Sequence, residues 1–392
     1  MNLKLLRKRL SYKEIAVACF FIILSYIYIY MCVLYPYKWQ RTYFKLEQIY
    51  AENNVICNDG APLWMYEFLE KNIKDNKILA NQLIYITKQK VIYHCESPAG
   101  IEDINHVNIK TLFRYGSNTK PITAAYILKL VKEHKVNLDT NLSEIFPELN
   151  NEKIKDPRIL KITIKNLLQH SSGFDRMLSK DAMFEEDRKP WCPYHIDKLK
   201  ETKLDFNPGS YNAYDNRNSC LLGVVIERIE GKRYREVINH EFNLKNRSIS
   251  FLDGPYIKNE VKYNFLYNEY RFEDYFKKFD FYALSSSAGL IGNAKSLALL
   301  LNNIIEDEKY SKFISFNKED ISCNYEKERE CFNYSMNVIE RNNNFIQFKY
   351  GTLPSASSFS LINKNKEIVV WMGNAERLDL GFKFENFMAD KL

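Results

Sequence analysis

Residues 111–130 read TLFRYGSNTKPITAAYILKL, and this stretch decides the fold. Small and apolar residues recur at three-and-four spacing over 124–131, as they do on the buried face of a helix. Pro121 is well tolerated only in the first helical turn, so the helix has to begin near Gly116 or Ser117. The pattern therefore predicts a buried helix with Ser117 at the positive end of its dipole.

Ser117 and Lys120 are one helical turn apart, which puts both side chains on the same face. A serine hydroxyl is a poor nucleophile until a base takes its proton, and a neutral lysine can be that base. Burial and nearby positive charge would be needed to lower the pKa of the lysine. The same spacing recurs at Ser315 and Lys318, so the context of the pair has to decide.

The chain after Ser117 contains two further polar groups, and the first of them is absent after Ser315. It is YDN at 214–216, the only YxN in a chain with 27 tyrosines. It lies between a Pro-Gly turn and an apolar helical stretch, where a loop tip is expected. We predict that Tyr214 relays a proton to a leaving group and that Asn216 positions the lysine or holds a substrate carbonyl.

The second group is KYG at 349–351, the only KxG of the chain, at the end of a β-rich run. A lysine on an inner strand facing Ser117 would supply fixed positive charge for a substrate carboxylate. Gly351 would let the backbone of the substrate approach closely. We therefore predict that Lys349 and Gly351 bind substrate.

Four long motifs resemble the serine β-lactamase and DD-peptidase superfamily, nearest its class C β-lactamase, carboxypeptidase and esterase branch. They are the opening stretch, ITIKNLLQHSSGF, FNPGSYNAYDNRNSCLLGVVIERIEG and SSAGLIGNAKSLALLL. The likeness spans residues 76–392. It implies an α/β (α+β) fold of the β-lactamase/transpeptidase-like type. In that fold an antiparallel sheet made from both chain ends is flanked by helices, with an inserted helical lobe and a cleft holding Ser117.

The resemblance also implies how the site works. An acyl-enzyme forms at Ser117 with Lys120 as base and Tyr214 as proton relay, without metal or organic cofactor. Together with the geometry of acyl transfer, the family pattern assigns the oxyanion hole to the amides of Ser117 and Thr352. By the same likeness, His170 is a structural residue near the site rather than a catalytic histidine.

At two positions this chain has a residue that differs from the one common in some or many members of the branch. Many esterase-like members have histidine where Lys349 stands, so the chain looks closer to peptidases and β-lactamases that bind a carboxylate. Ser355 follows Pro354 where a glycine is common. The second departure predicts an altered cleft wall.

Before the hydrolase-like part, an uncharged run, IAVACFFIILSYIYIYMCVLYPY, lies between Glu14 and Lys38. At about 1.5 Å per residue it is long enough to cross a hydrocarbon core of about 30 Å. Its end is bulky, whereas a cleaved signal peptide has small residues there, so we favour an uncleaved anchor over a signal peptide. The basic residues before the run predict a cytoplasmic N-terminus and an extracytoplasmic remainder. We expect a single-pass protein of the bacterial cytoplasmic membrane with a periplasmic catalytic domain.

The formal charge of +7 is concentrated in the first fourteen residues, and the remainder is close to neutral. Neither aromatic RNA-binding motifs nor zinc-ligand spacings occur. Nucleic acid is therefore not an expected partner.

The sequence predicts the following organisation. The LIYITKQKVIYHCE stretch (83–96) has the pattern of a β-hairpin, apolar runs after 345 predict strands, and ERLDLGFKFENFMADKL predicts a closing helix. The expected segments are a cytoplasmic basic tail (1–14), a transmembrane signal anchor (15–37), a juxtamembrane connector (38–75) with a helix near Pro62 to Lys74, and a hydrolase domain (76–392) with an α/β lobe (76–130 and 285–392) and a helical lobe (131–284).

Of the eight cysteines, Cys19 and Cys32 lie in the apolar run, and the other six belong to the exported part. An even number permits disulfides, of which Cys323 with Cys331 is the most local pairing. Scattered buried thiols fit the sequence equally well.

We therefore predict a membrane-anchored serine hydrolase acting on a cell-envelope peptide or a β-lactam. The expected partners are the membrane, through residues 15–37, and a small peptide, ester or β-lactam substrate. Two alternatives stay open. An esterase or D-amino-acid transferase of the same fold would turn over short esters. A non-hydrolytic penicillin-binding sensor would be acylated stably without turnover.

Overall fold

The computed structural model describes residues 11–101, 107–149, 153–185, 189–254, 256–266, 278–323, 331–334, 336–341, 344–378 and 383–392. The first ten residues of the expected basic tail and residues 379–382 of the expected closing helix lie outside these ranges.

The strands within the described residues form two antiparallel sheets. They are β1 (Ile56–Cys57), β2 (Asn81–Ile86), β3 (Ile92–Ser97), β4 (Phe113–Arg114), β5 (Ser250–Phe251), β6 (Leu290–Gly292), β7 (Ser322–Cys323), β8 (Cys331–Phe332), β9 (Asn337–Arg341), β10 (Asn344–Leu353), β11 (Ala356–Asn363) and β12 (Ile368–Gly373). The large sheet has the order β1-β3-β2-β12-β11-β10-β9-β8-β7, and the small sheet has the order β4-β6-β5. Since β12 pairs with β2, an early and a late part of the chain meet in the large sheet, as the family resemblance implies.

With the exception of α1, the α-helices of the described residues pack around this sheet or against one another. They are α1 (Tyr12–Tyr28), α2 (Pro36–Asn53), α3 (Leu63–Lys71), α4 (Lys120–Lys132), α5 (Leu142–Ile145), α6 (Ile164–Leu168), α7 (Arg176–Ser179), α8 (Asn216–Glu230), α9 (Tyr234–Phe242), α10 (Ala294–Glu306) and α11 (Phe384–Ala389). The predicted mixed α/β class with a sheet flanked by helices is confirmed.

The central strands are buried on both faces, which explains their nearly continuous apolar runs. On β2, Leu83 joins an apolar cluster with α3 and α11, in which Phe68, Trp371 and Phe384 meet edge to face. The next residue, Ile84, joins a larger cluster on the other face that includes α4, α8 and α10. The sheet is therefore a central layer, and the helix carrying Ser117 packs on one side of it.

The N-terminal helical segment Tyr12–Leu34 is long and apolar enough to cross a membrane, and none of it is buried against the rest of the protein. Ser11 and Glu14 cap its start. The next helix, α2, was not predicted, because its apolar stripe is narrow. Its Phe44 and Ala51 pack against Ile73 and Leu79.

Three disulfides cross-link the chain: Cys57–Cys95, Cys192–Cys220 and Cys323–Cys331. The first joins β1 to β3, and the third is the local pairing considered from the sequence. Of the two readings that the sequence left open, the structure has the disulfides rather than scattered buried thiols.

Candidate active site

Ser117 lies in a single 3-10 turn, Gly116–Thr119, that continues directly into α4. Pro121 is in the first turn of α4, where its missing N–H costs no hydrogen bond. Gly116 has a φ of 51°, and a Cβ atom there would be 2.8 Å from the backbone nitrogen of Thr352. The turn therefore packs backbone to backbone against β10, with Ser117 half-buried.

Lys120 is the buried cation of the site. Its Nζ is 3.0 Å from Ser117 Oγ and donates hydrogen bonds to Asn216 Oδ1 at 2.6 Å and to the backbone oxygen of Ser287 at 2.9 Å. Burial holds the pKa of Lys120 well below its usual value, and the positive charge of Lys349 lowers it further. These are the two conditions that the sequence-based hypothesis set for a lysine base.

Tyr214 approaches the same hydroxyl from the start of α8. Its phenol donates a hydrogen bond to Ser117 Oγ at 2.6 Å. Asp215 caps the helix immediately after it, accepting from the backbone N–H and the guanidinium of Arg217. Burial raises the pKa of Tyr214, so its phenol is neutral at pH 7 and can donate.

Asn216 is the first residue of α8 and connects Lys120 to a carboxylate that the sequence analysis missed. Its Oδ1 accepts from Lys120, and its Nδ2 donates to Asp181 Oδ2. Asp181 thereby determines which end of the Asn216 amide faces the lysine. No sequence signal marks Asp181, because it stands in a short irregular loop far from the YDN group.

Lys349 projects from β10 toward the ring of Tyr214, with its Nζ 4.4 Å from the ring centroid. It is 3% exposed, which makes it a fixed charge rather than a mobile surface lysine. Its backbone oxygen accepts a hydrogen bond from Asn118 in the turn that carries Ser117. The chain thus brings Ser117, Lys120, Tyr214 and Lys349 around one point.

Gly351 packs closely against the segment that leads into the turn carrying Ser117. A Cβ atom on Gly351 would overlap the backbone oxygen of Tyr115 and the hydroxyl of Ser358. The absence of a side chain is therefore needed for this packing, and the binding of a substrate backbone at Gly351 stays a prediction. Thr352 is exposed at the next position, beside Gly116, and its use with Ser117 as an oxyanion donor stays a prediction.

The ring of His170 packs against the ring of Tyr214, with 4.6 Å between the two ring centroids. Its Nδ1 accepts from the backbone N–H of Asp215 at 3.3 Å and lies 3.0 Å from Asn218 Nδ2. Burial and the nearby Lys349 hold the pKa of His170 well below its usual range. A neutral imidazole in these contacts orients the YDN segment.

Three other positions complete the comparison with the sequence. Ser315 is buried in its own loop, where its hydroxyl donates to Asp320 at 2.5 Å. Ser355 takes a left-handed φ of 58°, the conformation that favours glycine, and its hydroxyl donates to the backbone oxygen of Asn264 at 2.9 Å. Arg176, which the sequence analysis did not single out, has its guanidinium carbon 4.7 Å from the centroid of Tyr214.

This fold and this polar cluster define a serine hydrolase of the β-lactamase and penicillin-binding type. The chain belongs to the β-lactamase family, whose model matches residues 70–321, and the family predicted from the four motifs is confirmed. The chain is also 30% identical over 340 residues to the probable fimbrial assembly protein FimD, serogroup H1, of Dichelobacter nodosus, covering 86% of this chain and 84% of the relative.

Three further likenesses, one in sequence and two in structure, accompany this match. A putative D-alanyl-D-alanine carboxypeptidase of Escherichia coli strain K12 is 23% identical over 316 residues, which is 71% of this chain and 70% of the relative. The structure of D-amino acid amidase from Ochrobactrum anthropi SV3 superposes with a TM-score of 0.60 at 17% identity, covering 80% of this chain and 93% of that one. The octameric penicillin-binding protein homologue from Pyrococcus abyssi gives a TM-score of 0.58 at 18% identity, covering 80% and 73%. The structural likenesses establish the fold alone.

Proposed function

We propose that this protein cleaves a peptide of the cell envelope, or a β-lactam, through an acyl-enzyme formed on Ser117, in the manner of a DD-peptidase. The observation that carries the proposal is the environment of one oxygen atom. Ser117 Oγ is 3.0 Å from Lys120 Nζ and 2.6 Å from the phenol oxygen of Tyr214. Both a proton acceptor and a proton donor are thus in hydrogen-bond reach of the nucleophile.

Lys120 acts as the base in the first step. A neutral amine has two N–H donors and one lone pair. The two carbonyl oxygens contacted by Nζ, those of Asn216 and Ser287, accept the two N–H groups. The lone pair then faces the hydroxyl of Ser117 and takes its proton as Oγ attacks the carbonyl carbon of the substrate.

Tyr214 acts when the tetrahedral intermediate collapses. The negative oxygen of the intermediate is held by the backbone N–H groups of Ser117 and Thr352. The phenol proton of Tyr214 passes to the leaving nitrogen as the carbon–nitrogen bond breaks, and the proton on Lys120 restores the phenol. Water then attacks the ester, with its proton taken by Lys120. The ester bond to Oγ breaks, the proton on Lys120 passes to Oγ, and the acid and free Ser117 are released.

Lys349 selects the substrate in this scheme. Its buried ammonium, 4.4 Å from the ring centroid of Tyr214, is a fixed partner for the carboxylate at the C-terminus of a peptide or on a β-lactam. A lysine here favours a peptidase over an esterase that acts on neutral esters.

The proposed location is the outer side of the bacterial cytoplasmic membrane. Residues 15–37 were expected to form the membrane anchor. In this proposal the overlapping apolar helical segment Tyr12–Leu34 is that anchor. The three disulfides support an oxidising compartment for the catalytic part.

The test is intact-mass measurement of the purified full chain after exposure to benzylpenicillin and, separately, to a D-alanyl-D-alanine peptide. We expect a covalent penicillin adduct on the wild type and on Ser315→Ala, the matched control with the same SxxK spacing, and no adduct on Ser117→Ala. Release of D-alanine from the peptide identifies a hydrolase. A stable adduct without turnover identifies a sensor, and an adduct that persists in Ser117→Ala refutes the proposed site.

A second candidate function is participation in the assembly of a surface fibre. It is supported by the 30% identity, over 86% of this chain, to a probable fimbrial assembly protein. Electron microscopy of cells lacking the protein tests it, with complementation by the wild type and by Ser117→Ala. Loss of fibres restored by both proteins indicates a role independent of acylation, and restoration by the wild type alone indicates a role for the hydrolase. Fibres that persist without the protein refute the candidate.

A further inference from the structure

The guanidinium of Arg176 lies beside the catalytic ring of Tyr214. Among the described residues, its guanidinium makes no hydrogen bond or ion pair, and the side chain is exposed. Its contact is with the ring of Tyr214, 4.7 Å from the centroid, and the ammonium of Lys349 is 4.4 Å from the same centroid. Two cationic side chains therefore border the ring of Tyr214.

The carboxylates nearest to this group are already engaged elsewhere. Asp181 accepts from the amide of Asn216, and Asp215 accepts from Arg217 in a buried ion pair. Arg176 and Lys349 place positive charge beside Tyr214. An anionic group on a bound substrate would be attracted to it.

Arg176 is held by its helix and by its contact with the ring of Tyr214. Asp175 caps α7 by accepting from the backbone N–H of Met177 at 2.8 Å. At the other end of α7, the hydroxyl of Ser179 accepts from Arg217 Nη2 at 2.8 Å, which fastens α7 to α8. A pre-positioned guanidinium binds a carboxylate at a lower entropic cost than a free surface arginine.

Arg176 and Lys349 lie on different elements, which assigns them to different sides of a bound substrate. Lys349 lies on β10 and is assigned the carboxylate of the leaving side. Arg176 lies with Asp181 in the segment that reaches Asn216, on the helical wall of the cleft. Next to it, Met177 and Leu178 are 81% and 72% exposed and offer apolar surface.

We propose that Arg176 forms a second anion subsite, which binds a carboxylate on the acyl side of the substrate. This inference rests on the proposed function and narrows it. The preferred substrates carry two carboxylates, one for Lys349 and one for Arg176, as in an envelope peptide with an acidic residue before the cleaved bond.

Two penicillins give a matched pair of probes. Both carry the ring carboxylate, and carbenicillin has an additional carboxylate on its acyl side chain that benzylpenicillin lacks. The measurement is the second-order rate constant for acylation of the full chain, followed by intact mass. The variants are Arg176→Gln, Arg176→Lys, which keeps the charge, and Arg233→Gln, which removes an exposed arginine elsewhere.

We expect the carbenicillin-to-benzylpenicillin rate ratio to fall about tenfold in Arg176→Gln, equivalent to about 1.4 kcal/mol. Arg176→Lys should retain most of the ratio, and Arg233→Gln all of it. The benzylpenicillin rate of each variant shows whether its site is folded. An unchanged ratio in Arg176→Gln overturns the subsite and leaves the proposed function standing. If neither penicillin acylates the wild type, the proposed function fails and the subsite fails with it.

Discussion

Gly351 and Tyr115 are in such close backbone contact that a Cβ atom on Gly351 would overlap the oxygen of Tyr115. The hydroxyl of Ser358 donates to the same oxygen at 2.6 Å. Asn118 spans the junction, donating from Nδ2 to Ser358 Oγ at 2.7 Å and accepting at Oδ1 from Ser360 at 2.5 Å. The nucleophile is therefore positioned by the sheet as well as by its own helix.

Gly351→Ala should destabilise the protein by about 2–3 kcal/mol, because a backbone oxygen cannot move aside as a flexible side chain can. The rate of penicillin acylation should fall with it, since the turn carrying Ser117 has to shift. Thermal unfolding and acylation kinetics measure the two effects. Gly231→Ala is the control: it lies at the end of α8 with φ 64° and open space around it, and should cost about 1 kcal/mol without affecting acylation. Equal stability of the two variants would contradict the packing argument.

Lys349→Met should move the acidic limb of the pH profile of the acylation rate to higher pH. The ammonium of Lys349 helps to lower the pKa of Lys120, so its removal raises that pKa and keeps the base protonated over a wider range. Labelling by a fluorophosphonate, which carries no carboxylate, measures this effect separately from substrate binding. Lys349→Arg retains the charge and should keep the limb near its wild-type position. A limb that does not move in Lys349→Met would show that the two lysines are not coupled.

Asp181→Ala should move the acidic limb of the pH profile of acylation to lower pH. The carboxylate of Asp181 raises the pKa of Lys120, so removing it favours the neutral lysine at lower pH. The maximal rate should nevertheless fall about tenfold, because Asn216 loses a hydrogen bond worth about 1.5 kcal/mol that orients its amide. The pH profile of fluorophosphonate labelling reports both changes. The exposed Asp197→Ala serves as the control, and an alkaline shift in Asp181→Ala would count against the assigned role.

The free energy of unfolding should fall in mild acid, because His170 is kept neutral in the folded protein. Its pKa in the folded state is well below the value of about 6.5 in an unfolded chain. The unfolded state therefore takes up the proton first, and stability that is complete above about pH 6.5 is lost as the pH falls below it. His170→Gln cannot titrate and should show a flatter stability profile between pH 7 and pH 5 in denaturant unfolding. His195→Gln, at an exposed position, should keep the wild-type slope; a wild-type slope in His170→Gln would assign the acid sensitivity to other groups.

Alkylation should modify two thiols in the unreduced protein and eight after reduction. The two are Cys19 and Cys32 in the apolar helix, since the other six cysteines are paired. Intact mass after treatment with iodoacetamide in a denaturant, with and without prior reduction, gives the count. A count of eight without reduction, in protein isolated under non-reducing conditions, would argue against an oxidising compartment.

The sequence predicts the catalytic groups because acyl transfer restricts both residue types and spacing. Ser117 and Lys120 have to share a helix face, and the YDN and KYG groups are each unique in the chain. Asp181 and Arg176 could not be found in this way. Arg176 begins the four-residue helix α7 and Asp181 follows it. These elements are too short to show a pattern, and only their folding against α8 brings the two side chains to Tyr214 and Asn216.

The elements of the fold likewise differ in how well the sequence predicts them. The apolar strands and the helix after Ser117 can be predicted because burial imposes a periodic pattern on their sequences. Helix α2 shows little such pattern, since few of its side chains, among them Phe44 and Ala51, are buried. The pairing of the six exported cysteines was likewise open, because it depends on which strands become neighbours.

The hydrogen bond from Asn118 to the backbone oxygen of Lys349 joins residues 231 positions apart. The sheet that positions Lys349 also needs β12, which ends at Gly373. A ribosome therefore has to deliver the chain as far as Gly373 before the nucleophile acquires these neighbours. We expect a nascent chain that stops before β12 to be inactive, because the sheet that positions Lys349 is then incomplete.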